Sequence, residues 1–199
     1  MADAGDLKSP GQPPCGFESR LRHHAPCATG GKAALMQAKS WRESYTELKE
    51  IVVPPHCNHH GTVFGGHILA LIDQVAGVTA MEHCGSPAVV TVSMDRVTFF
   101  HPVKEGQILH LQARVTYTGE SSLEVYVKVY GKDLADPGRP PWLTCEAYTT
   151  FVLVDANGRP VKAVPPLLLE TPEDRALFEA AAARKEARLA EARRRRPQA

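Results

Sequence analysis

An apolar segment between His56 and Cys84 constrains the fold more than any other part of this chain. Its first residues are polar and prone to bend, and after Phe64-Gly65-Gly66 the spacing predicts a helix from about Gly65 to His83. Apolar residues lie on every side of that helix: Ile68, Leu69, Leu71, Ile72, Val75, Ala76, Val78, Ala80 and Met81. A helix that is apolar on all sides is buried. This one is too short and too interrupted by polar residues to span a bilayer, so we expect it at the centre of the fold.

One carboxylate, Asp73, lies in the middle of the predicted helix. Burying an ionised carboxylate without partners is unfavourable, so Asp73 is either satisfied by a neighbouring donor or has a chemical role. The start of the helix offers free backbone N–H groups, and Gly65 and Gly66 let a substrate approach them closely. Such donors can hold a carbonyl oxygen as it becomes an oxyanion. Asp73 lies two turns further along, so only the helix start of a symmetry-related partner could come next to it.

After Pro87 the apolar period changes from helical to two, which indicates strands. Strands are predicted over residues 88–100, 107–118, 123–130 and 142–154. Within residues 40–54, the Ile51-Val52-Val53 run suggests an earlier strand that closes at Pro54-Pro55. The alternation slips at Asp95-Arg96, which favours a bulge. Strands joined by short turns are antiparallel neighbours, so we expect an α+β fold in which an antiparallel sheet wraps the helix. The sheet edges then favour at least a dimer.

The ends of the chain have a different composition from its middle. Residues 1–38 are rich in Gly, Pro, Ala and Ser, which predicts a disordered extension, and Met36 is a candidate natural start. Residues 39–165 form the predicted domain. Residues 166–199 predict a final helix that is N-capped at Thr171 and ends in the basic run 193–196. That basic end either meets phosphates or is a solvated, fraying tail.

Charge and cysteine content exclude several classes of protein. The 199 residues carry a net charge of +1, so no global field favours nucleic acid or a membrane as a partner. Five widely spaced cysteines argue against a disulfide framework and for a reducing, cytoplasmic compartment. The N-terminus has no apolar segment typical of a signal peptide.

Histidines and cysteines are frequent around the helix, at His56, Cys57, His59, His60, His67, His83 and Cys84. Adjacent histidines such as His59-His60 cannot easily share one ion, and neither HExxH nor CxxC is present, so we expect no metal and no cofactor. The pair His23-His24 with Cys15 and Cys27 likewise lacks regular ligand spacing. A nucleophilic Cys57 has no evident orienting partner, and no GxSxG motif supports a catalytic serine.

Several residues together resemble the signature of acyl-CoA thioesterases of the hotdog fold, in the acyl-CoA hydrolase group. They are Asn58, Gly61, Phe64-Gly65-Gly66 and Leu71-Ile72-Asp73, and the likeness continues through Val90 to Phe99, His101-Pro102-Val103 and Gly119-x-Ser121-Ser122. It covers about residues 44–155. Many members carry an acid two residues before the asparagine, where this chain has His56.

The resemblance implies a long helix wrapped by a five-stranded antiparallel sheet. It also implies protomers paired edge to edge, often as trimers of dimers, with the active site at the dimer interface. Asp73 would act as general base or nucleophile, opposite Asn58 of the partner subunit. The amides of Gly65 or Gly66 would polarise the thioester carbonyl. Coenzyme A would lie along residues Val90, Thr91, Thr118 and Gly119.

Hotdog proteins include two other functional classes. A hotdog acyl-CoA hydratase would carry a histidine five residues after the helix aspartate, where this chain has Val78. A non-catalytic acyl-CoA sensor remains as the alternative. Known hotdog repressors have a DNA-binding domain before the fold, and residues 1–38 are too short and too rich in Pro and Gly to form one.

Overall fold

The computed structural model describes residues 37–195. The proposed start at Met36, the His23-His24 pair and almost all of the predicted extension lie outside these residues. The elements in chain order are β1 (Lys39–Ser40), a 3-10 turn (Trp41–Ser44), β2 (Thr46–Ile51), a second 3-10 turn (Pro54–His56), α1 (Gly65–Cys84), β3 (Val89–Phe99), β4 (Ile108–Thr118), β5 (Ser122–Lys132), β6 (Trp142–Leu153), β7 (Leu167–Leu168) and α2 (Pro172–Arg195).

Five antiparallel strands form one sheet in the order β2-β4-β5-β6-β3, which confirms the predicted α+β hotdog fold. The first strand, predicted to close at Pro54-Pro55, ends earlier, at Ile51. Ser40 accepts a hydrogen bond from the Arg42 amide, and Glu43 accepts one from the Ser40 amide at 2.8 Å, so a capped 3-10 turn precedes that strand. The two-residue strands β1 and β7 pair in parallel outside the main sheet.

The inner face of the sheet packs on α1 and forms the core. Its apolar residues are the ones that alternate in β4 and β5: Leu109, Leu111, Ala113, Val115, Leu123, Val125, Val127 and Val129, each at most 1% exposed. Helix α1 contributes Ile72, Val75, Ala76 and Ala80. The helix ends where Gly85 takes the left-handed conformation at φ 63°, which closes a helix without a Cβ clash.

Helix α1 is not buried on all sides within one chain, which corrects the prediction. Asp73 and Gln74 are exposed, and Val78 and Met81 on the same face are 39% and 38% exposed. The helix carries the apolar residues that the sequence predicted. A sequence pattern does not distinguish a side chain that packs inside its own chain from one that packs against another molecule. One stripe of α1 is therefore left for a neighbour.

The predicted bulge in β3 is confirmed, since the pairing of β3 with β6 shifts register between Asp95 and Thr98. Arg96, inside the shift, has a φ of 48°, the left-handed region that side chains rarely adopt. The bulge bends the strand, as extra residues in one strand of a pair do.

Helix α2 starts as predicted. The Asp174 amide donates to Thr171 Oγ1 at 3.1 Å, and the Thr171 amide donates to Asp174 Oδ2 at 3.0 Å. Residues 189–195 at the basic end are exposed, whereas the helix before them packs on the sheet as far as Arg188. Ion pairs hold α2 across the outer face of the sheet: Arg114–Asp174 at 2.5 Å, Arg184–Glu124 at 2.7 Å and Arg188–Asp95 at 2.6 Å. Neither described helix is long and apolar enough to cross a bilayer.

Candidate active site

Asp73 meets a hydroxyl group from the neighbouring strand. Thr91 on β3 donates from Oγ1 to Asp73 Oδ1 over 2.9 Å. Both residues are exposed in the single chain. The carboxylate is therefore oriented by a neutral donor, and one oxygen remains open for another partner.

Asn58 holds the loop that leads into α1. Its Oδ1 accepts from the amides of His60 at 2.9 Å and Thr62 at 3.3 Å, and its Nδ2 donates to Thr62 Oγ1 at 3.1 Å. Gly61, at φ 70°, supplies the left-handed residue that the turn needs. The side chain is half-buried, so its amide group is fixed and still reachable.

The start of α1 has no side-chain cap. The Phe64 carbonyl accepts from the amides of His67 and Ile68, and the N–H groups of Gly65 and Gly66 find no acceptor within residues 37–195. A Cβ at Gly66 would overlap the Phe64 ring, so a larger residue there would push that ring aside. Two amides at the positive end of the helix dipole are thus free to bind an anionic oxygen.

An apolar groove of about 300 Å³ lies beside these amides. Its walls include Gly65, Ile68, Phe99 and Pro102. Two large side chains that line it are exposed, with Phe99 at 50% and Phe100 at 44%. The groove could hold an apolar group whose carbonyl faces the helix start.

The remaining predicted site residues lie at one end of the sheet. Val90 pairs with Val152, which pairs with Ser122, so the turn at Gly119 lies two strands away from Val90. The Thr118 hydroxyl accepts from the Leu167 amide at 2.9 Å and so also fixes β7. Within the described residues no hydrogen bond joins Asp73 to Asn58 or to the helix start. Their roles stay predictions.

The sequence singled out His56 and His67 but not Glu50, which joins them in a cluster next to this site. Glu50 Oε1 lies 2.5 Å from His67 Nε2 and 3.2 Å from His56 Nδ1, and the two imidazole rings stack at 4.0 Å. The three residues come from β2, the second 3-10 turn and the first turn of α1. No sequence spacing marks them, because only the fold brings these elements together.

Two of the cysteines are unsuited to nucleophilic chemistry. Burial raises the pKa of the Cys84 thiol to about 11 and that of Cys145 to about 12. Both thiols therefore stay protonated at neutral pH, and the thiolate is the reactive form. The third described cysteine, Cys57, donates from Sγ to the Val53 carbonyl at 3.6 Å.

Sequence comparisons place these features in a known family. Residues 60–137 match the family model that is described as the thioesterase superfamily. The Bacillus subtilis protein named uncharacterized acyl-CoA thioester hydrolase YkhA is 38% identical over 133 residues, which are 67% of this chain and 75% of that protein. The cytosolic acyl coenzyme A thioester hydrolase of Rattus norvegicus is 32% identical over 136 residues, but the chain spans only 35% of its length.

Solved structures with a similar fold indicate the same family. An apo-hexameric acyl-CoA thioesterase is 43% identical, with a TM-score of 0.73 over 79% of this chain and 98% of that one. An acyl-CoA hydrolase from Staphylococcus aureus, solved with butyryl coenzyme A, coenzyme A and coenzyme A disulfide, is 38% identical, with a TM-score of 0.70 over 79% and 95%. Variants of that hydrolase with an aspartate, a threonine or an asparagine changed to alanine have been solved as well. In sequence and in fold, this chain belongs to the acyl-CoA thioester hydrolases of the thioesterase superfamily.

Proposed function

We propose that the protein hydrolyses acyl-CoA to a free acid and coenzyme A in a site shared by two protomers. The observation that carries this proposal is the position of Asp73, a carboxylate oriented by Thr91 on a surface that one chain leaves open. An exposed carboxylate flanked by exposed apolar side chains is explained if a second protomer covers it.

The free edge of β3 supports a dimer at this surface. Within residues 37–195, β3 pairs with β6 on one side and with no strand on the other. Its eleven residues include Val90 and Val92, which are 45% and 57% exposed. The opposite edge, β2, is shorter and presents Glu47 and Lys49, charges that discourage strand pairing. A twofold pairing of β3 with its copy would bring Val78 and Met81 of α1 against the partner.

In the proposed mechanism, Asp73 takes a proton from water as the water oxygen attacks the thioester carbonyl carbon. Asn58 of the partner subunit orients the water or the thioester, and the amides of Gly65 or Gly66 hold the oxyanion. Collapse of the tetrahedral intermediate breaks the carbon–sulfur bond, and the thiolate of coenzyme A receives the proton from Asp73. Direct attack by the carboxylate, giving an anhydride that water then cleaves, uses the same residues.

The solved Staphylococcus aureus variants give independent support. The altered asparagine and aspartate of that hydrolase are separated by the same fifteen positions as Asn58 and Asp73. The third altered residue, a threonine, lies 17 positions after that aspartate, one fewer than separate Thr91 from Asp73 here. The apolar groove beside Gly65 would take the acyl chain, and coenzyme A would extend along Val90, Thr91, Thr118 and Gly119.

We further propose that three dimers assemble into a trimer of dimers, in line with the hexameric thioesterase that this chain resembles.

The decisive experiment measures thiol release from a panel of acyl-CoAs by wild type, Asp73→Asn and Asn58→Ala. Loss of a general base costs about 10²–10⁴-fold in rate. The two inactive variants are then co-expressed with different tags and the mixed dimer is isolated. Because a twofold dimer has two equivalent sites, a mixed dimer carries one intact site and should recover about half of wild-type activity. Full activity of Asp73→Asn refutes the mechanism, and a mixed dimer without activity refutes the shared site.

A non-catalytic acyl-CoA sensor is the alternative. It predicts that wild type binds acyl-CoA in a calorimeter and releases no thiol. Light scattering of the purified protein tests the assembly, and a monomeric mass would contradict both the shared site and the trimer of dimers.

A further inference from the structure

Glu50, His56 and His67 converge where three elements meet. Glu50 is in β2, His56 precedes the Asn58 loop, and His67 is in the first turn of α1. One ligand atom from each, a carboxylate oxygen or an imidazole nitrogen, lies within 4.8 Å of the other two. The side chains are 28%, 25% and 24% exposed, so an ion and a water molecule can reach them.

One atom of the cluster lacks a partner. His56 Nδ1 is buried, and although it lies 3.2 Å from Glu50 Oε1, the two do not form a hydrogen bond. A buried ring nitrogen without a partner is unfavourable. The same carboxylate oxygen lies 2.5 Å from His67 Nε2.

The distances from the carboxylate oxygen suit a small transition-metal ion, and the stacked rings of His56 and His67 would turn so that both nitrogens point at it. Zinc binds imidazole nitrogen and carboxylate oxygen at about 2.0–2.2 Å, so two of its tetrahedral ligand atoms lie about 3.3 Å apart. The pair Glu50–His56 already has that spacing, and the pair Glu50–His67 would open by less than 1 Å. Two histidines and one glutamate with a water molecule make a set of four ligands that zinc accepts.

We propose that Glu50, His56 and His67 bind one Zn²⁺ ion, with water as the fourth ligand. The ion ties β2 to the loop that carries Asn58 and to the start of α1. It thereby stabilises the folded chain, because the unfolded chain does not bring the three ligands together. His59 and His60 offer the contrasting case: their rings are 3.8 Å apart and exposed, and no carboxylate joins them among the described clusters.

Calorimetric titration of the full-length protein with ZnCl₂ tests the proposal, after treatment with a chelator and in the absence of acyl-CoA. We expect one ion per chain. A free Zn²⁺ concentration of 100 times the dissociation constant should raise the melting temperature by about 5–10 °C. Loss of an outer-shell partner weakens metal binding by about 10–100-fold. Glu50→Gln and His67→Gln remove proposed ligands, so each should weaken Zn²⁺ binding by more than that.

The double variant His59→Gln/His60→Gln is the matched control and should bind Zn²⁺ as wild type does. Co²⁺ provides a second readout that needs no variant. Visible d–d bands without a strong near-ultraviolet thiolate band support ligation by histidine and carboxylate. The proposal is overturned if wild type takes up no ion, if the control loses binding as the cluster variants do, or if a thiolate band shows Cys57 as a ligand.

Discussion

Thr91 donates a 2.9 Å hydrogen bond to Asp73 across the boundary between β3 and α1. The bond fixes the carboxylate on the one stripe of α1 that its own sheet does not cover. Asp73 is thereby held at the exposed face before any partner or substrate arrives, as preorganised catalysis requires.

Removal of this donor should impair catalysis more than folding. Thr91→Val keeps the shape of the side chain but loses the hydroxyl, and a hydrogen bond to a charged group contributes about 1.5–3 kcal/mol. We expect kcat for acyl-CoA hydrolysis to fall about 10- to 100-fold, with the melting temperature almost unchanged. Thr91→Ser restores the donor and should recover most of the rate. A Thr91→Ser variant as slow as Thr91→Val would show that the methyl group, and not the hydrogen bond, matters.

A charge at the free edge of β3 should separate the protomers. Val92 is 57% exposed in the single chain, and Val92→Lys places a charge where two copies of β3 would meet. Light scattering should show a smaller assembly, and thiol release should fall with it because the proposed site needs both subunits. Ile51 on β2, at the other edge of the sheet, is 61% exposed, so Ile51→Lys is the control and should keep both mass and activity. Retention of the wild-type mass by Val92→Lys would contradict the proposed seam.

The buried ion pair under α2 predicts a large loss of stability. Glu124 is 3% exposed and receives two hydrogen bonds from Arg184, at 3.0 and 2.7 Å, and one from Thr116. Arg184→Ala leaves that carboxylate buried without its counter-charge, which costs about 3 kcal/mol. Urea denaturation measures the change. Lys162→Ala removes a lysine from an exposed ion pair and should leave the urea midpoint of unfolding unchanged. Equal losses of stability in the two variants would contradict the role of burial.

His83 should make stability depend on pH. It is fully buried, with Nδ1 3.2 Å from Ser44 Oγ and Nε2 3.1 Å from the Pro165 carbonyl oxygen. Burial lowers the pKa of His83 below its ordinary value of 6.5. Below pH 6.5 the unfolded chain therefore binds a proton that the folded chain resists. The free energy of unfolding is highest above that pH and falls as the pH drops below it.

Urea denaturation at pH 7.5, 6.5 and 5.5 checks this dependence. His83→Gln cannot gain the proton, so the stability difference between wild type and variant should shrink as the pH falls. A difference that stays constant over this range would show that His83 does not titrate on unfolding.

Local chemistry explains why much of the fold was predictable. The alternation of apolar residues in 107–118 and 123–130 predicted two strands. Gly85 predicted the end of α1, and Thr171 predicted the start of α2. The slip at Asp95-Arg96 located the bulge. Each of these signals acts between residues close in sequence, where propensity and capping decide the outcome.

The sequence by itself determined the family, the elements and the residue types of the candidate site. Only the tertiary structure decided which face of α1 stays open, that Thr91 reaches Asp73, and that Glu50 meets two histidines. It also decided that α2 lies on the sheet through Arg184 and Arg188. These contacts join residues far apart along the chain, and their geometry follows from how helix and sheet pack, which no local pattern contains.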